Sequence, residues 1–243
     1  LSALKEDISS EDFLHMIEKG DVPTSSQPAI GDVLEVFEDN TEDILYLSIG
    51  DGLSGTYQNA VGARNIIENN SHIHIIDTKT LAGPQRYLVQ KALKLRDAGF
   101  DLAGIKGELQ KCIETSASFV IPADFDFLKR SGRLTPIAAK IGGLIKIVPV
   151  MTQTEDMRRI TPFAIKRSWK KAVETIISHF QTLGVDDNFI ITIAHAGAYE
   201  KAQEIFNQIK EQFQTATLEL FPLSPALITH GGPGCVTIQV IHK

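Results

Sequence analysis

"DILYLSIGDGLSGTYQNAVGARNIIENNSHIHIID", residues 43–77, decides the fold. It opens with "DILYLSI", an apolar run of strand length, and closes with the alternating strand "HIHIID". Between them "YQNAVGARNIIENN" reads as a helix. Strand, glycine turn, helix and strand make a β-α-β unit, the connection that joins parallel strands. The turn "DGLSGTY" falls at the carboxyl end of the first strand, where open α/β sheets collect ligands.

The same rhythm extends both ways. Upstream, "ISSEDFLHMIEKG" is a helix that Ser9 or Ser10 can cap, with acids in its first turn and Gly20 at its end. "VPTSSQP" is a loop bounded by Pro23 and Pro28, and a helix follows over 30–38. Downstream come the helices "LAGPQRYLVQKALKLRDAG" and "LAGIKGELQKCIETSA", then the strand "SFVIPA". Near residue 146 the pattern changes. Two apolar runs flank the polar "TQTEDMR", which signals a hairpin. A helix from 168, a strand "NFIITIAHA", a helix from 198 and the strands "TLELFPLS" and "CVTIQVIH" complete the chain. The fold class is therefore α/β with two domains. Residues 1–146 are expected to form a parallel sheet with helices on both faces, and residues 147–243 a mixed-sheet α/β domain.

Composition narrows the function classes. The 243 residues are 43% hydrophobic and 22% charged, ordinary for a chain that buries a core. A formal net charge of -6 argues against non-specific binding to nucleic acid or anionic membranes. No apolar run is long enough to span a bilayer, and "LSALKEDISS" lacks a signal-peptide pattern. The two cysteines, Cys112 and Cys235, form no close metal or redox pair, so a reduced, cytoplasmic setting is expected.

The turn at 51–57 permits three chemistries. A hydrolase elbow needs Gly-x-Ser-x-Gly, but Thr56 stands where the last glycine belongs, and no acid marks a triad with His195 or His230. A phosphate cradle would use the free N–H groups of a helix start, yet neither Gly-x-Gly-x-x-Gly nor Gly-Lys-Ser/Thr occurs. A carboxylate could instead be held by hydroxyls and backbone amides without a counter-charge. "PTSSQP" and "GLSGTY" both supply such donors. Elsewhere, His72 and His74 alternate on a strand and read as strand packing. Lys166, Arg167, Lys170 and Lys171 read as a solvated face, and Cys235 as a small hydrophobe. Arg130 and Arg133 flank a glycine turn that fits either solvent or an anion or partner contact.

Four motifs in order carry a family resemblance: "PTSSQP" at 23–28, "GLSGTYQNA" at 52–60, "FLKRSGRLTPIAAKIGGLIKIVPV" at 127–150 and "HGGPG" at 230–234. Together they resemble the DegV family of bacterial fatty-acid-binding proteins, several of which carry the lipid for a fatty acid kinase. The resemblance implies a long-chain fatty acid in a buried apolar pocket, with no other cofactor and no metal. It maps the carboxylate contacts to Ser25 and Ser54, with Thr24 and Ser26 as neighbouring hydroxyls and the amide near Gly55 as a further donor. It places His230 beside the head group and Arg133 at the same opening, facing a kinase catalytic subunit. Apolar residues of "IAAKIGGLI" become tunnel or lid candidates. The protein is then a carrier rather than an enzyme. A dihydroxyacetone-kinase-like enzyme subunit using His230, or a lipid-dependent regulator, are the competing readings.

Two departures stand out. Family members usually begin with a strand ending in Asp-Ser-Thr or Asp-Ser-Ala, and this sequence starts beyond it, so the N-terminal strand or strands are expected to be missing from the first sheet. The family's Ser-Ser before Gly-Leu-Ser-Gly is Gly50-Asp51 here, which sets an acid beside a proposed carboxylate site.

Overall fold

The computed structural model describes residues 8–141 and 147–243. Contacts divide the chain into two compact units. The smaller comprises Ser26–Glu114 with Glu155–Arg158. The larger comprises the described residues up to Ser25, Thr115–Thr154 and Arg159–Lys243.

In the smaller unit, β1 (Ile44–Ser48) and β2 (Ile73–Asp77) pair in parallel, from Ile44 opposite Ile73 to Ser48 opposite Asp77. Side chains alternate across the sheet. Ile44 and Tyr46 pack with α2 (Ile30–Glu38) and α3 (Thr56–Ile66) around Val33, Phe37, Ala60, Ala63 and Ile73. Leu45 and Leu47 instead line a groove with Val89, Leu93 and Ile105, from α4 (Ala82–Asp97) and α5 (Leu102–Glu114). The β-α-β expectation from residues 43–77 holds, with helices against both faces.

The larger unit is built on a six-stranded sheet ordered β5-β4-β3-β8-β6-β7. Its strands are β3 (Ala117–Ile121), β4 (Val148–Gln153), β5 (Ile160–Lys166), β6 (Phe189–His195), β7 (Thr217–Pro222) and β8 (Val236–His242). Only β6 and β7 run parallel; the other pairs are antiparallel, which makes the sheet mixed. Helices α7 (Trp169–Thr182) and α8 (Tyr199–Gln212) supply Ile176, Phe180, Ile205 and Ile209 to a core shared with Ile191, Ile193 and Ile238. All seven residues of β6 are buried. Fully burying such an aliphatic or aromatic side chain stabilises by roughly 1.5–3 kcal/mol. The hairpin expected around "TQTEDMR" is β4–β5.

Helix α1 (Ser10–Glu18) is capped by Ser9, whose side chain accepts from the Asp12 N–H. Two short helices, α6 (Phe125–Arg130) and α9 (Pro225–Gly231), lie in stretches for which the sequence reading expects no helix.

The division of the chain differs from the cut expected at residue 146, a position outside the described residues. Strand β3, assigned by sequence to the first half, pairs with β8 from Ala117 opposite Val240 to Ile121 opposite Val236. Periodicity identifies a strand but not its partner, and here the partner lies at the far end of the chain.

Candidate functional site

In the larger unit the loop before α2, helix α6 and helix α9 enclose a pocket of about 420 Å³. Thr24 and Ser25 line it from the loop, Phe127 and Arg130 from α6, Arg133 from the following turn, and Thr229 and His230 from α9. Ser25 Oγ lies 2.6 Å from His230 Nε2, a short hydrogen bond. Burial, with the Arg133 charge as a second cause, lowers the His230 pKa from 6.5 to about 4. The ring is therefore neutral at physiological pH, with one nitrogen donating and one accepting. Arg133 is held inward by its own loop: Nη1 donates to the Ser131 carbonyl at 2.6 Å, and its N–H donates to Ser131 Oγ at 3.2 Å. The Arg130 guanidinium stacks over the Phe127 ring at 4.3 Å. The pocket thus gathers hydroxyls, a neutral imidazole and the Arg130 and Arg133 cations from three elements, a donor set suited to a carboxylate.

The glycines of "HGGPG" make this grouping possible. Gly232 has φ 77, and a Cβ there would fall 2.6 Å from the Phe127 ring. A side chain at that position meets both a left-handed backbone and an aromatic wall. Helix α9 can therefore end beside α6 and turn through residues 232–235 into β8.

In the smaller unit the turn after β1 is fixed from several sides. The Gly50 N–H donates to the Thr80 carbonyl at 2.9 Å, and the Asp51 N–H to Asp77 Oδ1 at 3.0 Å. Leu53 and Ser54 N–H groups donate back to the Gly50 carbonyl. Ser54 Oγ shares a hydrogen bond with Thr56 Oγ1 at 2.8 Å and accepts from the Thr56 N–H at 3.3 Å. Gly55 is the N-cap of α3, and the Gln27 side chain rests against its bare Cα. Asn59 Nδ2 donates to the Pro28 carbonyl at 2.8 Å. The "SQP" half of "PTSSQP", beginning at Ser26, is thereby strapped to the start of α3.

The acid that fitted poorly in the sequence is compensated. Asp51 is 8% exposed, and its Oδ2 accepts from Arg158 Nη1 and from Gln58 Nε2. The hydrogen bond and charge of Asp51 push the Arg158 guanidinium above its already high value. Sequence reading passed over Arg158, because it lies 107 residues from Asp51 in a segment read only as hairpin.

Of the sequence-selected residues, Thr24, Ser25, His230 and Arg133 meet at one pocket in the larger unit. Ser26, Ser54 and Gly55 belong to the smaller unit. His195 ends β6, and burial lowers its pKa. In "IAAKIGGLI", Ile137 is 74% exposed and Ala138 is buried, while residues 142–145 lie outside the described ones. Among the described residues, no cluster of His, Cys, Asp or Glu is arranged to hold a metal, and no helix is long and apolar enough to cross a membrane.

Two α/β units, one with a small parallel sheet and one with a mixed sheet, and glycine-rich loops lined by hydroxyls define a class with known members. A family model described as "Uncharacterised protein, DegV family" matches residues 3–243. The chain belongs to the DegV family. DegV domain-containing protein YteA of Lactococcus lactis is 30% identical, over 97% of this chain and 83% of that protein. The crystal structure of the fatty acid binding DegV family protein SAG1342 from Streptococcus agalactiae is similar with a TM-score of 0.86 at 26% identity, covering 98% of this chain and 86% of that one. A DegV family protein from Thermus thermophilus, described for its fatty acid binding, shares the fold with a TM-score of 0.87 at 23% identity, covering 98% of this chain and 86% of that one.

Proposed function

We propose that this protein is a carrier that binds a long-chain fatty acid and holds its carboxylate through Ser25, Thr24 and His230, with Arg133 as the nearby cation. The observation that carries this reading is the 2.6 Å Ser25–His230 pair in a pocket that Arg133 also lines. The fatty-acid binding of SAG1342, a relative of the same fold, supports the ligand class. Burial of each methylene contributes about 0.8 kcal/mol, so a chain of about sixteen carbons supplies on the order of 10 kcal/mol. That term offsets desolvation of the head group, which neutral donors and one cation then orient. Ser54 and Gly55 are assigned to the ligand by the family resemblance alone, and a Ser54→Ala protein tests that assignment separately.

In this reading the bound acid is presented to a separate fatty acid kinase catalytic subunit, with Arg133 and the adjacent Arg130 facing the partner. Organic extraction and mass spectrometry of the purified protein, with titration by palmitate and oleate, test the ligand class. A co-purifying fatty acid and saturable binding are expected. No lipid and no binding would defeat the proposal. Phosphorylation of the bound acid when a fatty acid kinase catalytic subunit and ATP are added tests the partner.

A further inference from the structure

Asp51 and Arg158 are a charge pair of unequal exposure: the Asp51 side chain is 9% accessible and that of Arg158 is 53%. The pair sits at the turn that carries Ser54. Arg158 also touches that turn through its stem, since a Cβ on Gly52 would fall 2.7 Å from Arg158 Cβ. Gln58, in the first turn of α3, donates to the same Asp51 oxygen at 3.2 Å. The Asp51 N–H is separately anchored on Asp77 Oδ1 at 3.0 Å. Asp51 is thus held in place by its backbone, and its charge is met chiefly by Arg158.

We infer that Arg158 is a positioning residue: by compensating Asp51 it keeps closed the Gly50–Thr56 turn, whose Ser54 and Gly55 the family resemblance assigns to the ligand. The part of this inference that concerns the ligand rests on the fatty-acid reading above; the part that concerns the turn does not. The unequal exposure sets the sign of each substitution. Removing the guanidinium strands a buried carboxylate beneath the turn, whereas removing the carboxylate leaves a cation that water already reaches. Arg158→Gln is therefore harmful, Asp51→Asn is mild, and the two together restore the wild-type state.

The experiment has two readouts on four proteins: wild type, Arg158→Gln, Asp51→Asn and the double variant. Glutamine keeps the Cβ contact with Gly52 and removes the charge together with the Nη1 donor to Asp51. Hydrogen exchange of a peptide covering residues 50–56 reports the turn, where Leu53 and Ser54 N–H groups bond the Gly50 carbonyl. Exchange is expected to speed up roughly tenfold in Arg158→Gln and to return to the wild-type rate in the double variant. Titration with palmitate and with hexadecanol separates charge from shape. Arg158→Gln is expected to lose roughly tenfold in palmitate affinity and little for the alcohol, with Asp51→Asn restoring the acid. Unchanged exchange in Arg158→Gln, or a double variant no better than the single one, overturns the inference. Equal losses for acid and alcohol reduce Arg158 to a structural contact and overturn its role toward the head group. If wild type binds neither lipid, the fatty-acid reading falls, and the exchange result still decides the role of Arg158 in the turn.

Discussion

Ser25 Oγ and His230 Nε2 lie 2.6 Å apart although 205 residues of chain separate them. The loop "PTSSQP" and the motif "HGGPG" are therefore two halves of one donor group. Ser25→Ala removes a hydroxyl from this group and leaves a half-buried ring nitrogen without its partner. A lost hydrogen bond of this kind is worth about 0.5–1.5 kcal/mol, so fatty-acid affinity is expected to fall roughly two- to twelvefold. Isothermal titration with palmitate measures it, and unchanged affinity would remove Ser25 from the head-group contacts.

His230 makes stability depend on acid pH. Its folded pKa, about 4, lies below the ordinary value of 6.5, chiefly through burial. Above 6.5 neither folded nor unfolded ring is protonated, and the full stability remains. As pH falls from 6.5 to 4 the unfolded state takes up a proton that the folded ring refuses, so stability declines through that window. With a discount for the solvent that reaches the ring, the decline is on the order of 1–2 kcal/mol. Urea unfolding at pH 7 and pH 4.5 is expected to show a larger drop in wild type than in His230→Gln. Equal drops would contradict it.

Gly52 and Gly55 look alike in the sequence and are expected to differ under substitution. Gly52 has φ 88 and a Cβ there would collide with the stem and backbone of Arg158. Gly55 has φ -72, and a Cβ there meets only the end of the flexible Gln27 side chain. Gly52→Ala should destabilise by roughly 1–3 kcal/mol, and Gly55→Ala by less, because Gln27 can swing aside. Thermal unfolding of both variants ranks them, and the reverse order would refute the argument.

Cys235 is fully buried, and desolvation pushes its thiol up to about 12. Thiolate is the reactive form, so native protein at pH 8 should resist iodoacetamide at this position. Both Cys235 and the buried Cys112 should label once denaturant is added. Rapid native labelling of Cys235, read by peptide mass spectrometry, would count against its burial.

Local signals in the sequence carried much of this fold. The two strands of residues 43–77, the cap at Ser9 and the β4–β5 hairpin follow from periodicity and turn chemistry over short windows. Long-range pairing did not follow, and β3 shows why: its alternation matches any apolar partner, so its place beside β8 depends on tertiary packing. The site divides in the same way. Ser25 and His230 were visible as residue types with a family resemblance behind them. Arg158 was not, because an exposed arginine in a hairpin gains meaning only from the buried acid it meets. The same holds for "HGGPG", whose glycines answer to Phe127, Cys235 and Ala123, three side chains the motif itself does not contain.

A four-residue turn joins helix α9 to β8, and β8 is bonded by β6 from Val236 to His242 and by β3 from Val236 to Val240. The imidazole of His230 thus sits on a helix that a four-residue turn joins to an interior strand of the sheet. A ligand arriving there meets a group whose conformational entropy was spent when the protein folded, so little ordering of this wall is left to oppose binding.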